Sequence, residues 1–177
     1  MKQKKLTDYD KWLKTIEIQI DTREKEIDHI TAIFDYLNVK YKQTTLNAGD
    51  YTFNYTTIID NGLGSKYEVE QKSNIIIERK NSIDEITQNF TKHRDRFKRE
   101  FDKLTAVDKH LIIENNVLND VFIENYRSDM HPNSLIMSIL SFQYRYGINF
   151  HYIHKFYTAH LMLRLFYAHY KYLILEK

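Results

Sequence analysis

The sequence has 177 residues, of which 42% are hydrophobic and 14% aromatic, and its formal net charge is +2 at pH 7. A chain of this length and composition can bury one substantial core and is most simply one domain, residues 1–177. It contains no cysteine, which excludes disulfide bonds, thiolate zinc sites and thiol nucleophiles. A net charge near zero neither requires nor excludes a nucleic-acid partner, because the distribution of charge matters more than its sum.

The two ends of the chain carry no pattern typical of export or membrane insertion. The basic segment Met1–Lys5 is not followed by an apolar run, so we expect no secretion signal. The apolar segment Phe156–Leu175 is interrupted by Arg164, His169 and Lys171, which predicts a packed helix rather than a membrane span. A cytoplasmic location is therefore expected.

The first predicted elements are a strand, a helix and a second extended segment. Isoleucines alternate with polar residues over Ile16–Ile20, the period of a strand, and Asp21 stands at its end. Apolar residues at helical spacing predict a helix over Ile27–Leu37, after which Val39–Leu46 should be extended.

A turn at Asn47–Asp50 opens the next pair of strands. The segment Tyr51–Ile59 is rich in Thr, Tyr, Phe and Ile and predicts a strand. A hairpin loop over Asp60–Ser65 and a polar segment, Lys66–Asn74, lead into the strand Ile75–Lys80. We expect that last strand to be central.

The second half of the chain continues the alternation. Ser82 and Glu85 form a capping-box pattern that predicts one long helix extending to Leu104. The remaining predicted elements are a strand at His110–Glu114, a helix from Asn133 or Ser134 to Gly147, an extended segment at Ile148–Ile153 and a long final helix over 155–175. The expected fold class is α/β, with a central mixed β-sheet flanked by helices.

Three acids lie at or next to predicted strand ends: Asp21, Asp50 and Glu78. Phosphodiester hydrolysis needs charge neutralisation and an activated water, which Mg²⁺ held by two or three carboxylates supplies. Lys80 shares a strand face with Glu78, since side chains alternate along a strand. Any one acid alone is more typical of a solvated turn or a helix N-cap, and it is the combination that indicates a site.

The order of these motifs resembles that of the XPF-type structure-specific nucleases, members of the PD-(D/E)xK superfamily. Their motif runs Asp-x-Arg-Glu, then Gly-Asp-Tyr, then Glu-Arg-Lys-x-x-x-Asp. The matching residues occur here in that order: Asp21, Arg23 and Glu24; Gly49, Asp50 and Tyr51; Glu78, Arg79, Lys80 and Asp84. The resemblance covers residues 16–153, and we expect no tandem helix-hairpin-helix domain of the kind that often follows in relatives.

The resemblance implies a restriction-endonuclease-like fold and a Mg²⁺- or Mn²⁺-dependent endonuclease that acts on branched, flapped or forked DNA and leaves a 5′-phosphate. The roles that it implies are metal binding by Asp21, Asp50 and Glu78, water activation by Lys80, and support from Arg23, Arg79 and Asp84. Repair, recombination and phage DNA processing all remain open as pathways, and the Lys-, Asn-, Ile- and Tyr-rich composition suits a phage or mobile element.

A basic stripe runs along the helix predicted after Ser82, formed by Lys92, Arg96, Arg99 and Lys103. Its spacing would let it neutralise successive phosphates. A solvated helix face shows the same spacing, and two aspartates interrupt the stripe, so both interpretations stay open.

The final helix is apolar around most of its circumference, which one core face does not explain. We therefore expect a second buried surface there, and the family resemblance favours a homodimer interface.

Two other functions match parts of the pattern. The family includes members that keep the fold and lose catalysis, so a DNA-binding scaffold or silent pairing subunit is one alternative; the intact set Asp50, Glu78 and Lys80 favours the enzyme. Sequence-specific cleavage of duplex DNA is the other, and no recognition helix or zinc module supports it.

Overall fold

A computed structural model describes residues 6–60, 62, 65–103, 106, 108–114 and 118–175. Parts of three sequence predictions lie outside the described residues: the basic segment Met1–Lys5, Gly64 in the predicted hairpin loop, and Leu104 at the end of the predicted long helix.

The described strands form one mixed sheet in the order β2-β1-β3-β5-β6-β7, with β4 paired to β3. Strands β1 and β2 are parallel, as are β5, β6 and β7, whereas β3 is antiparallel to its neighbours. The strands are β1 Ile16–Asp21, β2 Lys40–Thr44, β3 Tyr51–Asp60, β4 Lys66–Lys72, β5 Ile75–Lys80, β6 Asp108–Glu114 and β7 Ile148–Ile153. This sheet confirms the predicted α/β class.

Helices flank the sheet on both faces. They are α1 Asp8–Trp12, α2 Asp28–Tyr36, α3 Ile83–Phe90, α4 Arg94–Asp102, α5 Leu118–Phe122, α6 Pro132–Tyr146 and α7 Thr158–His169, with a 3-10 turn at Lys155–Tyr157 before α7 and a π-helical segment at Tyr170–Leu175 after it. Within the described residues, none of these helices has the length and hydrophobicity needed to cross a membrane.

Two hydrophobic cores lie on opposite faces of the sheet, as strand alternation requires. On the first face, Ile18, Phe53 and Ile77 pack with α1, α2 and α7. On the second face, Leu111 and Ile113 pack with α3, α4, α5 and α6. The parity of each strand residue therefore decides which face its side chain meets.

The prediction of a single helix after Ser82 is wrong, because the structure has two helices separated by a turn at 91–93. Thr91 leaves helical geometry and its hydroxyl donates to the carbonyl of Thr87 at 2.7 Å. The change of direction lets Phe97 stack on Phe142 of α6. The capping prediction holds in part, since the Ser82 side chain accepts from the Glu85 N–H.

The polar segment 66–74 contains an unpredicted strand, β4, antiparallel to β3. Most of its residues are exposed, so an edge strand of this kind needs no apolar alternation to mark it. Two short helices, α1 and α5, were also not predicted, and α6 begins slightly earlier than predicted, at Pro132.

The apolar circumference of the final helix is explained within the chain. Met162 and Phe166 are buried against the sheet, while Tyr167 and Tyr170 pack on Trp12 of α1. The second buried surface expected from the sequence is thus supplied in part by α1, a helix that was not predicted.

Candidate active site

Strand parity brings Asp50, Glu78 and Lys80 to the second face of the sheet. Asp50 stands at the start of β3, and its backbone pairs with β1 and β5: its N–H donates to the carbonyl of Ile77 at 2.9 Å, and its carbonyl accepts from Asp21 N–H at 2.8 Å. Glu78 and Lys80 lie two residues apart on β5, so their side chains emerge on the same side.

A cleft of about 320 Å³ opens over these side chains between the sheet and helix α4. Besides the three predicted residues, the lining is partly basic. It consists of Arg23, Asn47, Ala48, Gly49, Asp50, Glu78, Lys80, Arg96, Arg99, Glu100, Phe101 and Lys103.

Asp50 is held by one backbone contact. Its Oδ2 accepts a hydrogen bond from the Arg79 N–H at 2.8 Å. Burial raises the pKa of Asp50, and the nearby carboxylates of Glu78 and Glu24 raise it further, to well above the usual carboxyl range. Such crowding of negative charge is the condition that a bound cation relieves.

Lys80 is buried between carboxylates. Its Nζ donates to Glu78 Oε1 at 2.6 Å and lies 3.6 Å from Glu85 Oε1. Burial alone lowers the pKa of Lys80, but the carboxylates of Glu78 and Asp50 outweigh it, so that the pKa lies above its ordinary value. Lys80 therefore stands in the cleft as a charged hydrogen-bond donor.

The donor set suits a small divalent cation. Within the described residues, Asp50 Oδ1 and Glu78 Oε2 accept no hydrogen bond from the protein, so one oxygen of each carboxylate is available as a ligand. No group of three or more His, Asp or Glu side chains in the described part of the chain is arranged to hold a metal. Two carboxylates with water and phosphate oxygens are the ligands that Mg²⁺ commonly takes.

The predicted third carboxylate, Asp21, is engaged elsewhere. It is 1% exposed and accepts from Arg23 Nε at 2.7 Å, from Arg23 Nη2 at 2.9 Å and from the Leu46 N–H at 2.8 Å. The hydrogen bonds from Arg23 are the main reason that the pKa of Asp21 is lowered. In this structure Asp21 fixes Arg23, which does line the cleft.

Arg79 points to the first face of the sheet, away from the cleft. Its guanidinium is buried, bonds to Glu24, and donates to Glu114 Oε2 at 2.8 Å and to the Lys25 carbonyl at 2.7 Å. His29 contacts the other oxygen of Glu114 at 2.8 Å. Arg79 thus reaches the cleft only through its backbone N–H, which holds Asp50.

Asp84 lies in the first turn of α3 and does not line the cleft. Its Oδ1 accepts from the Arg127 N–H at 2.7 Å, and this hydrogen bond ties the loop between α5 and α6 to α3. The structure therefore gives Asp84 an anchoring contact.

Three of the four residues of the predicted basic stripe, Arg96, Arg99 and Lys103, line the cleft. Arg96 is exposed and pairs with Glu100 at 3.1 Å. Lys92 lies in the turn between α3 and α4 and is not among the lining residues. The break between the helices is what separates it from the other three.

The model of the ERCC4 domain family matches residues 20–165. The chain belongs to the ERCC4 domain family. The assignment confirms the resemblance to XPF-type nucleases, and the matched range contains Asp21, Asp50, Glu78, Lys80 and Asp84.

Solved structures share the fold. XPF from Aeropyrum pernix superposes with a TM-score of 0.58 at 22% identity, covering 86% of this chain and 60% of that one. A structure described as XPF from Aeropyrum pernix in complex with DNA gives a TM-score of 0.59 at 22% identity, covering 88% and 65%. The chain thus spans less than two thirds of the length of either. Comparison with characterised protein sequences gave no match.

Several residues of this ERCC4 domain site were missed by sequence reasoning. Glu85 lies beside Lys80, Glu114 binds Arg79, and His29 contacts Glu114. Glu114 ends a strand next to β5 in the sheet, but its partner in the site depends on pairing between distant segments, which the sequence does not display.

Proposed function

We propose that the chain is a divalent-metal-dependent DNA endonuclease that cuts branched, flapped or forked DNA. The observation that carries the proposal is the cleft in which Asp50, Glu78 and Lys80 converge while arginines line its rim. Membership of the ERCC4 domain family, a family of nuclease domains, supports the same reaction.

The side chains divide the chemistry between them. Asp50 and Glu78 would hold Mg²⁺, for which Mn²⁺ substitutes. A bound divalent ion supplies Lewis acidity and lowers the pKa of a ligated water. Lys80 donates a hydrogen bond that orients the attacking water, while Arg96 and Arg99 neutralise charge on the phosphate. Cleavage of the P–O3′ bond leaves a 5′-phosphate and a 3′-hydroxyl.

Two predicted residues take supporting roles in this proposal. Asp21 positions Arg23 at the cleft, and Arg79 positions Asp50 through its backbone N–H. This assignment replaces a three-carboxylate metal site with two carboxylates and solvent oxygens.

The experiment is cleavage of labelled flap, fork, four-way, linear duplex and single-stranded DNA in Mg²⁺, Mn²⁺ or EDTA. Wild type is compared with Asp50→Asn and Lys80→Met, and Lys11→Met on α1 is the control. We expect metal-dependent cutting, fastest on branched DNA, that falls by at least about 10²-fold in both site variants. Binding without cutting by folded wild type would favour the scaffold alternative instead.

A further inference from the structure

Among the described residues, the hydrophobic core on the second face of the sheet includes none from β1 or β3. Over β1 and β3 the side chains on this face are polar: Gln19, Thr52 and Asn54. Gln19 and Asn54 are only 4% and 7% exposed, so amide groups are recessed where a helix-covered sheet would carry apolar residues.

A groove of about 580 Å³ lies over this polar area. It shares Asn47, Ala48 and Lys103 with the catalytic cleft, so the two depressions lie side by side. We call it the sheet groove, and its lining is Gln19, Lys42, Thr44, Thr45, Leu46, Asn47, Ala48, Thr52, Asn54, Glu70, Lys72, Ser73, Asn74, Ile75, Ile76, Lys103 and Ala106.

The charge of the sheet groove is positive. Three lysines, Lys42, Lys72 and Lys103, stand against one acid, Glu70, among the lining residues. Glu70 accepts from the Asn54 amide at 3.1 Å, and Lys42 pairs with Glu17 at 2.7 Å. Lys72 and Lys103 are therefore the lysines that we assign to a ligand. Lysines beside amide and hydroxyl groups suit a phosphate backbone and the polar edges of bases.

The dimensions favour one strand. A volume of this size lies in the range of roughly 300–1,000 Å³ that encloses a drug-sized ligand, which suits one or two nucleotides rather than a duplex. Because the groove adjoins the cleft, it lies next to a strand whose scissile phosphate is at Asp50 and Glu78.

We propose that the sheet groove binds the single-stranded arm of a branched DNA whose scissile phosphate lies in the catalytic cleft. The inference rests on the proposed nuclease function and deepens it, because it explains how a branch is distinguished from a plain duplex. The selected structure is one with an unpaired arm next to the cleavage point.

Binding of two fluorescent DNAs in EDTA tests the proposal: a long-armed fork with ten unpaired nucleotides in each arm, and a linear duplex of the same paired sequence. Lys72→Glu, an exposed position on β4, is compared with Lys11→Glu on α1, which packs on the first face. We expect Lys72→Glu to weaken binding of the long-armed fork about three- to ten-fold, by losing a phosphate contact and adding repulsion. Binding of the linear duplex by Lys72→Glu, and binding of either DNA by Lys11→Glu, should be unchanged.

A second readout is photocrosslinking from 4-thiothymidine placed in the long arm, followed by mapping of the linked peptide. Crosslinks within 42–46 or 70–76 support the groove, because these segments line it outside the catalytic cleft. Crosslinks confined to other segments, or equal loss of affinity for both DNAs in Lys72→Glu, overturn it. If wild type binds and cuts DNA but shows no arm dependence, only the groove fails; if wild type neither binds nor cuts any of these DNAs, the proposed function fails as well.

Discussion

Gly49 precedes Asp50 with a backbone φ of +74°, and a Cβ at this position would collide with the Ile76 side chain. Gly62 has a φ of +73° but open space around it. Substitutions at Gly49 and Gly62 therefore separate steric clash from backbone strain. A side chain at either position is strained by the positive φ, and of the two only a side chain at Gly49 also clashes.

We therefore expect Gly49→Ala to lower the free energy of unfolding by about 2–4 kcal/mol and to reduce cleavage by shifting Asp50. Gly62→Ala should cost about 1–2 kcal/mol and leave cleavage intact. Urea unfolding and initial cleavage rates check both. Equal effects at the two positions would show that the Ile76 contact has no role.

Arg79 is the centre of a buried ionic network with Glu24 and Glu114. Removing one member of such a network leaves a buried charge without its partner. We expect Arg79→Met to lower the free energy of unfolding by about 3–5 kcal/mol. Arg96→Met, which removes an exposed pair with Glu100, should cost less than about 1 kcal/mol. Chemical unfolding at pH 7 measures the difference, and comparable losses would contradict the network's role.

At the level of single residues, the sequence is informative about Asp50, Glu78 and Lys80, because alternation along a strand decides which side chains share a face. It is less informative about Asp21 and Arg79. Asp21 accepts from Arg23, two residues away, but also from the distant Leu46 N–H. Arg79 donates to the distant Glu114, and only the folded sheet brings these distant partners together.

Among the elements, β6, β7 and α7 meet at a chain of ionisable groups on the first face. Asp108 lies 2.9 Å from His110 and 3.1 Å from His169, and His110 contacts His151 at 2.9 Å. Burial lowers the pKa of His151 to about 4, and the charge of His110 adds to this effect. Burial raises the pKa of Asp108, but its histidine contacts outweigh this and lower it.

The lowered pKa values of His151 and Asp108 both make the folded protein less stable as the pH falls. The unfolded chain binds more protons than the folded one between about pH 6.5 and pH 4 at His151, and at lower pH at Asp108. We expect stability to be full above pH 6.5 and to fall as the pH is lowered towards 4. Thermal unfolding across this range should show a shallower decline in His151→Gln. An unchanged pH profile in that variant would contradict the assignment to His151.

Elements with strong periodicity were predictable, and those set by context were not. Strands β1, β3, β5 and β7 follow from their apolar or aromatic runs. The edge strand β4 has no such run, and the end of α3 at Phe90 depends on the Thr91–Thr87 contact and on packing against α6. Tertiary packing overrides local propensity at both places.

At the scale of the whole molecule, the homodimer stays a prediction. We now expect its interface on α6 and not on the final helix. The final helix is packed within the chain, whereas α6 presents an exposed stripe of Met137, Leu140 and Tyr144, which are 59%, 37% and 85% exposed. Exposed apolar stripes of this kind mark association surfaces. We expect light scattering after gel filtration to give twice the chain mass of 21.5 kDa, and Tyr144→Lys to give the monomer. A monomeric wild type would contradict the prediction.

The most direct test of the account is Mn²⁺ binding by calorimetry together with cleavage, on two variants that change the same residue type in the same local motif. Glu78-Arg79-Lys80 and Glu70-Gln71-Lys72 both have the form Glu-x-Lys, but only the first lies beside Asp50. The account predicts that Glu78→Gln loses both Mn²⁺ binding and cleavage, while Glu70→Gln, which lies outside the catalytic cleft, binds Mn²⁺ like wild type. Undiminished Mn²⁺ binding and cutting in Glu78→Gln would contradict it.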